Sequence, residues 1–246
     1  MPWNRHGLAS RIPQFLGFAL FIGSAVMLGA PEAGAQGPVI VPAPTLATLV
    51  MIDPAHGGIE SGAVLNPAIP EKDVNLAFAQ RLRREFITRG VVVQLVREED
   101  TAVSCDQRAA LANAVRPTLY IAIHSASLGS GVTIFSALLR SSEESSRGPF
   151  LDWDTAQSAS IEHSKLLGDL IARSIHQAGL PVRVLPAPLR PLDNVALPAL
   201  AIEIAPTAGD IWQLVSPEYQ QIIATAVANA VAGALPSIHG PRGPTR

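Results

Sequence analysis

Short apolar runs alternate with four-residue helical stripes along most of this chain, and that alternation limits the folds open to it. Leu46–Asp53 (LATLVMID), Val91–Arg97, Thr118–His124, Gly131–Leu139, Val182–Leu185 and Ala199–Ala205 read as strands. Most are apolar at nearly every position rather than at every second one. A strand of that kind is buried on both faces, as in sheets covered by helices on either side. The intervening segments supply such helices. Glu71–Arg89 carries Val74, Phe78, Leu82 and Phe86 at four-residue steps, and Gly90 offers a C-cap. Ser104 and Gln107 form a capping-box pattern that opens a helix through Ala114. Gln157–Ala178 and Pro217–Gly233 read as two further helices. The expected fold is α/β: a single domain, with a mostly parallel twisted sheet of about six strands and helices on both faces.

The ends of the chain read differently. Arg5 and Arg11 precede the uncharged stretch Ile12–Ala30, and Ala33-Gly34-Ala35 follows. A positive start, an apolar middle and a small-x-small site make residues 1–35 a secretory signal peptide, the alternative being a retained membrane anchor. Its removal deletes two arginines and one glutamate, which moves the formal charge from −2 to −3. Residues 36–45 form a Pro-rich linker, residues 46–235 the single folded domain, and residues 236–246 a Pro/Gly-rich tail expected to be disordered. The charge argues against a nucleic-acid partner. After cleavage no stable membrane insertion is expected, and the protein belongs in the periplasm or cell-wall space. The single cysteine, Cys105, excludes an internal disulfide and any Cys-rich metal site. It reads as a small buried residue at a helix start.

Only 15% of residues are charged, so the polar residues that interrupt apolar strands stand out. His56 follows the first strand in Asp53-Pro-Ala-His-Gly-Gly58. His124 closes the strand Leu119–His124. Glu203 lies inside Ala-Leu-Ala-Ile-Glu-Ile-Ala, and Glu71 begins the helix after the first strand. Ligands collect at the carboxyl ends of strands in open α/β sheets, so these four residues can meet at one edge. Two imidazoles and a carboxylate suit Zn²⁺ with one open position. A second carboxylate, Glu203, could take a proton from the attacking water. Each residue taken singly has a plainer reading. Either histidine could be a satisfied core residue, Glu71 a helix N-terminal acid, and Glu203 the partner of a buried arginine. Asp53 is either an orienting partner for a ligand histidine or a turn-capping residue before Pro54. His163 and His176 fall on different helix faces and read as surface or packing residues.

The four blocks together resemble the zinc-dependent N-acetylmuramoyl-L-alanine amidases that cleave peptidoglycan. VMIDPAHGG resembles the opening strand with the first ligand, His56. EKDVNLAFAQRLRREF resembles the helix led by the second ligand, Glu71. LVREEDTAVSCDQRAALAN resembles the next strand, loop and helix. LYIAIHSAS and PALAIEIAP resemble the strands carrying the third ligand, His124, and the catalytic Glu203. The resemblance covers roughly Leu49 to Ala232. It implies a Zn²⁺ cofactor, a peptidoglycan or muropeptide substrate, and hydrolysis of the bond between the muramic-acid lactyl group and L-alanine. No activator protein is named by any motif. The chain departs from the family at Ala55, Ser125-Ala126, Ile204-Ala205 and Pro206-Thr207, which replace Gly, Ala-Asn, Gly-Phe and Ser-Asn. These departures keep open a non-catalytic peptidoglycan-binding module, while a zinc peptidase would use the same machinery. Some relatives insert a long helix over the zinc. Arg140–Asp154 here is short and broken by Gly and Pro, so no such helix is expected.

Overall fold

The computed structural model describes residues 48–139 and 153–238. The signal-peptide and linker segments, most of 140–154 and the tail beyond 238 lie outside the described residues. In chain order the elements are β1 (Leu49–Pro54), β2 (Val64–Asn66), β3 (Ile69–Pro70), α1 (Glu71–Ile87), β4 (Val92–Leu95), α2 (Cys105–Val115), β5 (Leu119–Ser125) and β6 (Gly131–Ala137). Then follow α3 (Ile161–Gln177), β7 (Val182–Ala187), β8 (Ala199–Ala205) and α4 (Pro217–Ile238). Six strands form one sheet in the order β4-β1-β5-β8-β6-β7, and β2 and β3 make a small separate ribbon.

The apolar runs sort themselves onto two faces. On one, Leu119, Ile121 and Ile123 of β5 join Ile52, Ile134, Leu200 and Ile202 against α1, α3 and α4. On the other, Met51, Tyr120, Ala122, Ala199 and Ala201 pack against Ala109 and Ala112 of α2. The stripe Val74, Phe78, Leu82 and Phe86 is buried along its whole length. Each such side chain removed from water contributes about 1.5–3 kcal/mol. The capping box forms as read. Ser104 Oγ accepts from Gln107 N at 3.2 Å, and Gln107 Oε1 accepts from Ser104 N at 2.9 Å.

The six-stranded sheet is mostly parallel, as expected, and its one antiparallel pair is β6 and β8. A parallel crossover needs a dozen or more residues, and the link at 126–130 is too short for one, so the chain reverses into β6. Some expectations are corrected. The segment 153–160 is a 3₁₀ helix that precedes α3 rather than its first turns. α4 continues to Ile238, past Gly233. Cys105 opens α2 as expected, but it is exposed rather than buried. His163 and His176 are exposed. Among the described residues no helix is long and apolar enough to cross a membrane.

Candidate metal centre

Strands β1, β5 and β8 run parallel, so their carboxyl ends share one edge of the sheet. There the structure brings together His56, Glu71 and His124, whose ligand atoms all lie within 4.8 Å of one another. His56 stands just past β1, His124 is the penultimate residue of β5, and Glu71 is the first residue of α1. His56 Nε2 is 3.3 Å from Glu71 Oε2, and His124 Nδ1 is 3.1 Å from Glu71 Oε1. The two imidazoles meet edge to face, with centroids 5.3 Å apart. Donor atoms about 3.3 Å apart are the spacing expected around a tetrahedral ion with bonds near 2.0 Å. The donor set, two imidazole nitrogens and one carboxylate, therefore fits Zn²⁺ with a position left over.

Glu71 is 3% exposed and fully engaged. Its Oε2 accepts from Ala63 N at 2.7 Å, and its Oε1 from Asn75 Nδ2 and Ser125 N at 3.2 Å each. Burial pushes its carboxyl up, but the bonds to His124, His56 and Ala63 outweigh burial and hold it well below the usual carboxylate range. The Glu71 carboxylate, followed by Glu60, raises the His56 imidazole against the lowering effect of burial.

His56 has φ +63, in the left-handed region that disfavours a branched Cβ. Two buried arginines hold the turn there. Arg97 Nε donates to Pro54 O at 2.9 Å, and its Nη2 to Ala55 O at 3.2 Å and Lys72 O at 2.7 Å. Arg108 donates to His56 O at 2.8 Å and Pro54 O at 3.1 Å. Arg108 also pairs with Asp53, whose other oxygen accepts from the Tyr120 hydroxyl. Asp53 thus touches neither histidine of the cluster and does not cap the turn. It anchors the arginine that fixes the His56 backbone.

The residue that does orient a histidine of the cluster is Glu60, which the sequence reading passed over. His56 Nδ1 and Glu60 Oε1 are 2.6 Å apart, an arrangement that leaves Nε2 free to face Glu71. Gly62 was passed over too. With φ +76, a Cβ at this position would fall 2.5 Å from Glu71 Oε2 and 2.6 Å from His56 Cδ2. Gly62→Ala should therefore weaken metal affinity about 10–100-fold, as a displaced first or outer ligand shell does. Competition against a chelator of known affinity measures this, and unchanged affinity would contradict it.

Glu203 lies beside the cluster without joining it. Parallel register pairs it with His124, one strand spacing of about 4.8 Å away, on the same face of the sheet. Burial, then the charge of Glu71, raises its carboxyl, while His124 and Arg183 oppose the shift. Among the described residues it makes no hydrogen bond or ion pair, so the paired arginine of the plainer reading is absent there. The departures near the site are accommodated. Ser125 Oγ bonds Asn75 Oδ1 at 2.8 Å and so braces the amide that holds Glu71. Ala205 O accepts from the Tyr219 hydroxyl at 2.6 Å.

Fold and cluster together define an α/β domain with a His-Glu-His candidate metal centre at the carboxyl ends of its central strands. The chain belongs to the Amidase_3 family, the N-acetylmuramoyl-L-alanine amidases, whose profile matches residues 50–233. Over 162 residues it is 30% identical to the endolysin of Bacillus phage SPP1, covering 64% of this chain and 54% of that one. Over 94 residues it is 36% identical to the amidase AmiC of Escherichia coli O6:H1, covering 38% of this chain and 20% of that one. The chain thus matches about half or less of the length of these two relatives. Among solved structures, the amidase AmiC2 of Nostoc punctiforme superposes with a TM-score of 0.58 at 25% identity, covering 77% of this chain and 98% of that one. An amidase of Clostridium difficile 630 gives 0.63 at 22% identity, covering 78% and 99%.

Proposed function

We propose that this chain is an exported, zinc-dependent amidase that hydrolyses the bond between N-acetylmuramic acid and L-alanine in peptidoglycan. The observation that carries the reading is the His56–Glu71–His124 cluster, with Glu203 its in-register neighbour at the same sheet edge. His56 through Nε2, Glu71 through its carboxylate and His124 through Nδ1 would hold Zn²⁺, which when bound supplies an activated water and polarises the amide carbonyl. Glu203 accepts a proton from the attacking water and returns it to the departing alanine nitrogen. Glu60 and the Arg108–Asp53 pair keep His56 aligned throughout. Export is supported by the charged start, the apolar stretch 12–30 and the small-x-small site at 33–35. It would place the enzyme beside its substrate.

Digestion of purified peptidoglycan, with products identified by mass, tests the proposal. Stem peptides headed by free L-alanine should be released from intact glycan. A chelator should reduce release to background, and added Zn²⁺ should restore it. Saccharide binding without release would favour a non-catalytic module. Cuts between amino acids would favour a peptidase. Either result would overturn the amidase reading.

A further inference from the structure

The row that places Glu203 beside His124 continues across the sheet. Register pairs Glu203 with Thr133 of β6 and Thr133 with Arg183 of β7. Residues in register on neighbouring strands project from the same face. Because β6 and β7 run against β8, their amino-terminal ends lie at the edge where β5 and β8 finish. His124, Glu203, Thr133 and Arg183 therefore form one polar line that begins at the metal centre.

Arg183 is exposed, and its guanidinium is held toward the line. Nη2 donates to Thr133 Oγ1 at 3.2 Å, and Thr133 itself is buried. The same nitrogen lies against the loop after β5, 4.0 Å from where a Cβ on Gly129 would sit. No carboxylate among the described residues ion-pairs with Arg183. Its remaining N–H groups have the fork geometry that binds a carboxylate through paired hydrogen bonds.

We propose that Arg183, steadied by Thr133, binds a carboxylate on the peptide side of the scissile amide and so sets substrate direction. The inference rests on the muramoyl–alanine amidase reading. In that substrate the lactyl carboxyl is consumed in the amide, and the N-acetylated sugars carry no carboxylate. Free carboxylates occur only along the peptide. Two strand spacings, roughly 9–10 Å, separate the Thr133 position from that of His124. An extended peptide advances about 3.3–3.6 Å per residue, so the carboxylate lies roughly two to three residues beyond the cleaved bond. The peptide then runs over β8 and β6 toward β7, and the glycan extends toward β1 and β4.

Calorimetry on the zinc-loaded full chain tests this with two probes. One is a stem tripeptide headed by L-alanine with free carboxylates, and the other is the same peptide with every carboxyl amidated. Wild type should bind the free peptide about tenfold or more tightly than the amidated one, the scale of a charge-assisted pair. Arg183→Gln should bind both with the affinity wild type has for the amidated peptide, and Arg183→Lys should fall between. In turnover, Arg183→Gln should raise KM for a free-carboxylate muropeptide, spare kcat, and leave an amidated muropeptide unaffected. Equal binding of both peptides by wild type, or an undiminished preference in Arg183→Gln, overturns the proposal. Failure of wild type to cleave any muropeptide strikes the amidase reading alone, since peptide binding still decides Arg183.

Discussion

Glu203→Gln should abolish most hydrolysis and leave the metal in place. The amide keeps the volume and the strand position of the carboxylate, and the three proposed ligands are untouched. What disappears is the proton acceptor, and loss of a general base costs about 10²–10⁴ in rate. Metal content by elemental analysis should match wild type, and undiminished turnover would remove Glu203 from the mechanism. The pH profile adds a second check. Burial raises the Glu203 carboxyl, so wild-type rate should fall with acidification through that raised value as the base takes a proton. The residual rate of the variant should lack that limb. Stability should move the other way. A carboxyl whose folded pKa lies above its unfolded value opposes folding once ionised, so its cost is present at neutral pH and disappears on acidification. The amide does not carry that cost. Metal-free Glu203→Gln should therefore melt no lower than wild type at neutral pH and gain little in acid. An enzyme that loses turnover while holding or gaining stability is the signature of a site residue rather than a structural one.

The residues that could be read from sequence share one property: each breaks a pattern. His124 and Glu203 interrupt apolar strands, His56 follows one, and Glu71 leads the first helix, so their placement follows once these elements are recognised. The stripe of α1 and the capping box of α2 were legible because local spacing determines both. What stayed hidden has no local signal. Glu60 is an exposed acid in a loop, and nothing in its neighbours distinguishes it from a solvated one. Gly62 looks like any loop glycine until the chain folds it over Glu71. Arg108 and Arg97 are 3% and 4% exposed, and charged side chains are rarely buried so deeply. Their burial is explained only by carbonyl groups and an aspartate dozens of residues away. The reversal into β6 was different, because the short link at 126–130 already ruled out a parallel crossover.

Glu71→Ala should abolish stoichiometric metal binding and destabilise the metal-free protein as well. The side chain is the common acceptor for Ala63 N, Asn75 Nδ2 and Ser125 N, and it faces both imidazoles. Truncation leaves these donors without it in a buried setting, at about 1–3 kcal/mol for each that water cannot reach. The pH dependence of the wild type gives the control. The Glu71 carboxyl is depressed below its ordinary 4.5, so its contribution is present above that value and fades as pH falls through the lower folded one. The His56 imidazole is raised above its ordinary 6.5, so its contribution is complete below that value and fades as pH rises through the higher folded one. Metal-free wild type should gain most from this pair between about pH 4.5 and 6.5. Metal needs the imidazole unprotonated, so the rise in melting temperature produced by Zn²⁺ should grow with pH above that window. Glu71→Ala should show neither the acid-side gain nor the zinc-dependent rise. A variant still stabilised by one equivalent of Zn²⁺ at pH 8 would mean that the ion is held by other residues.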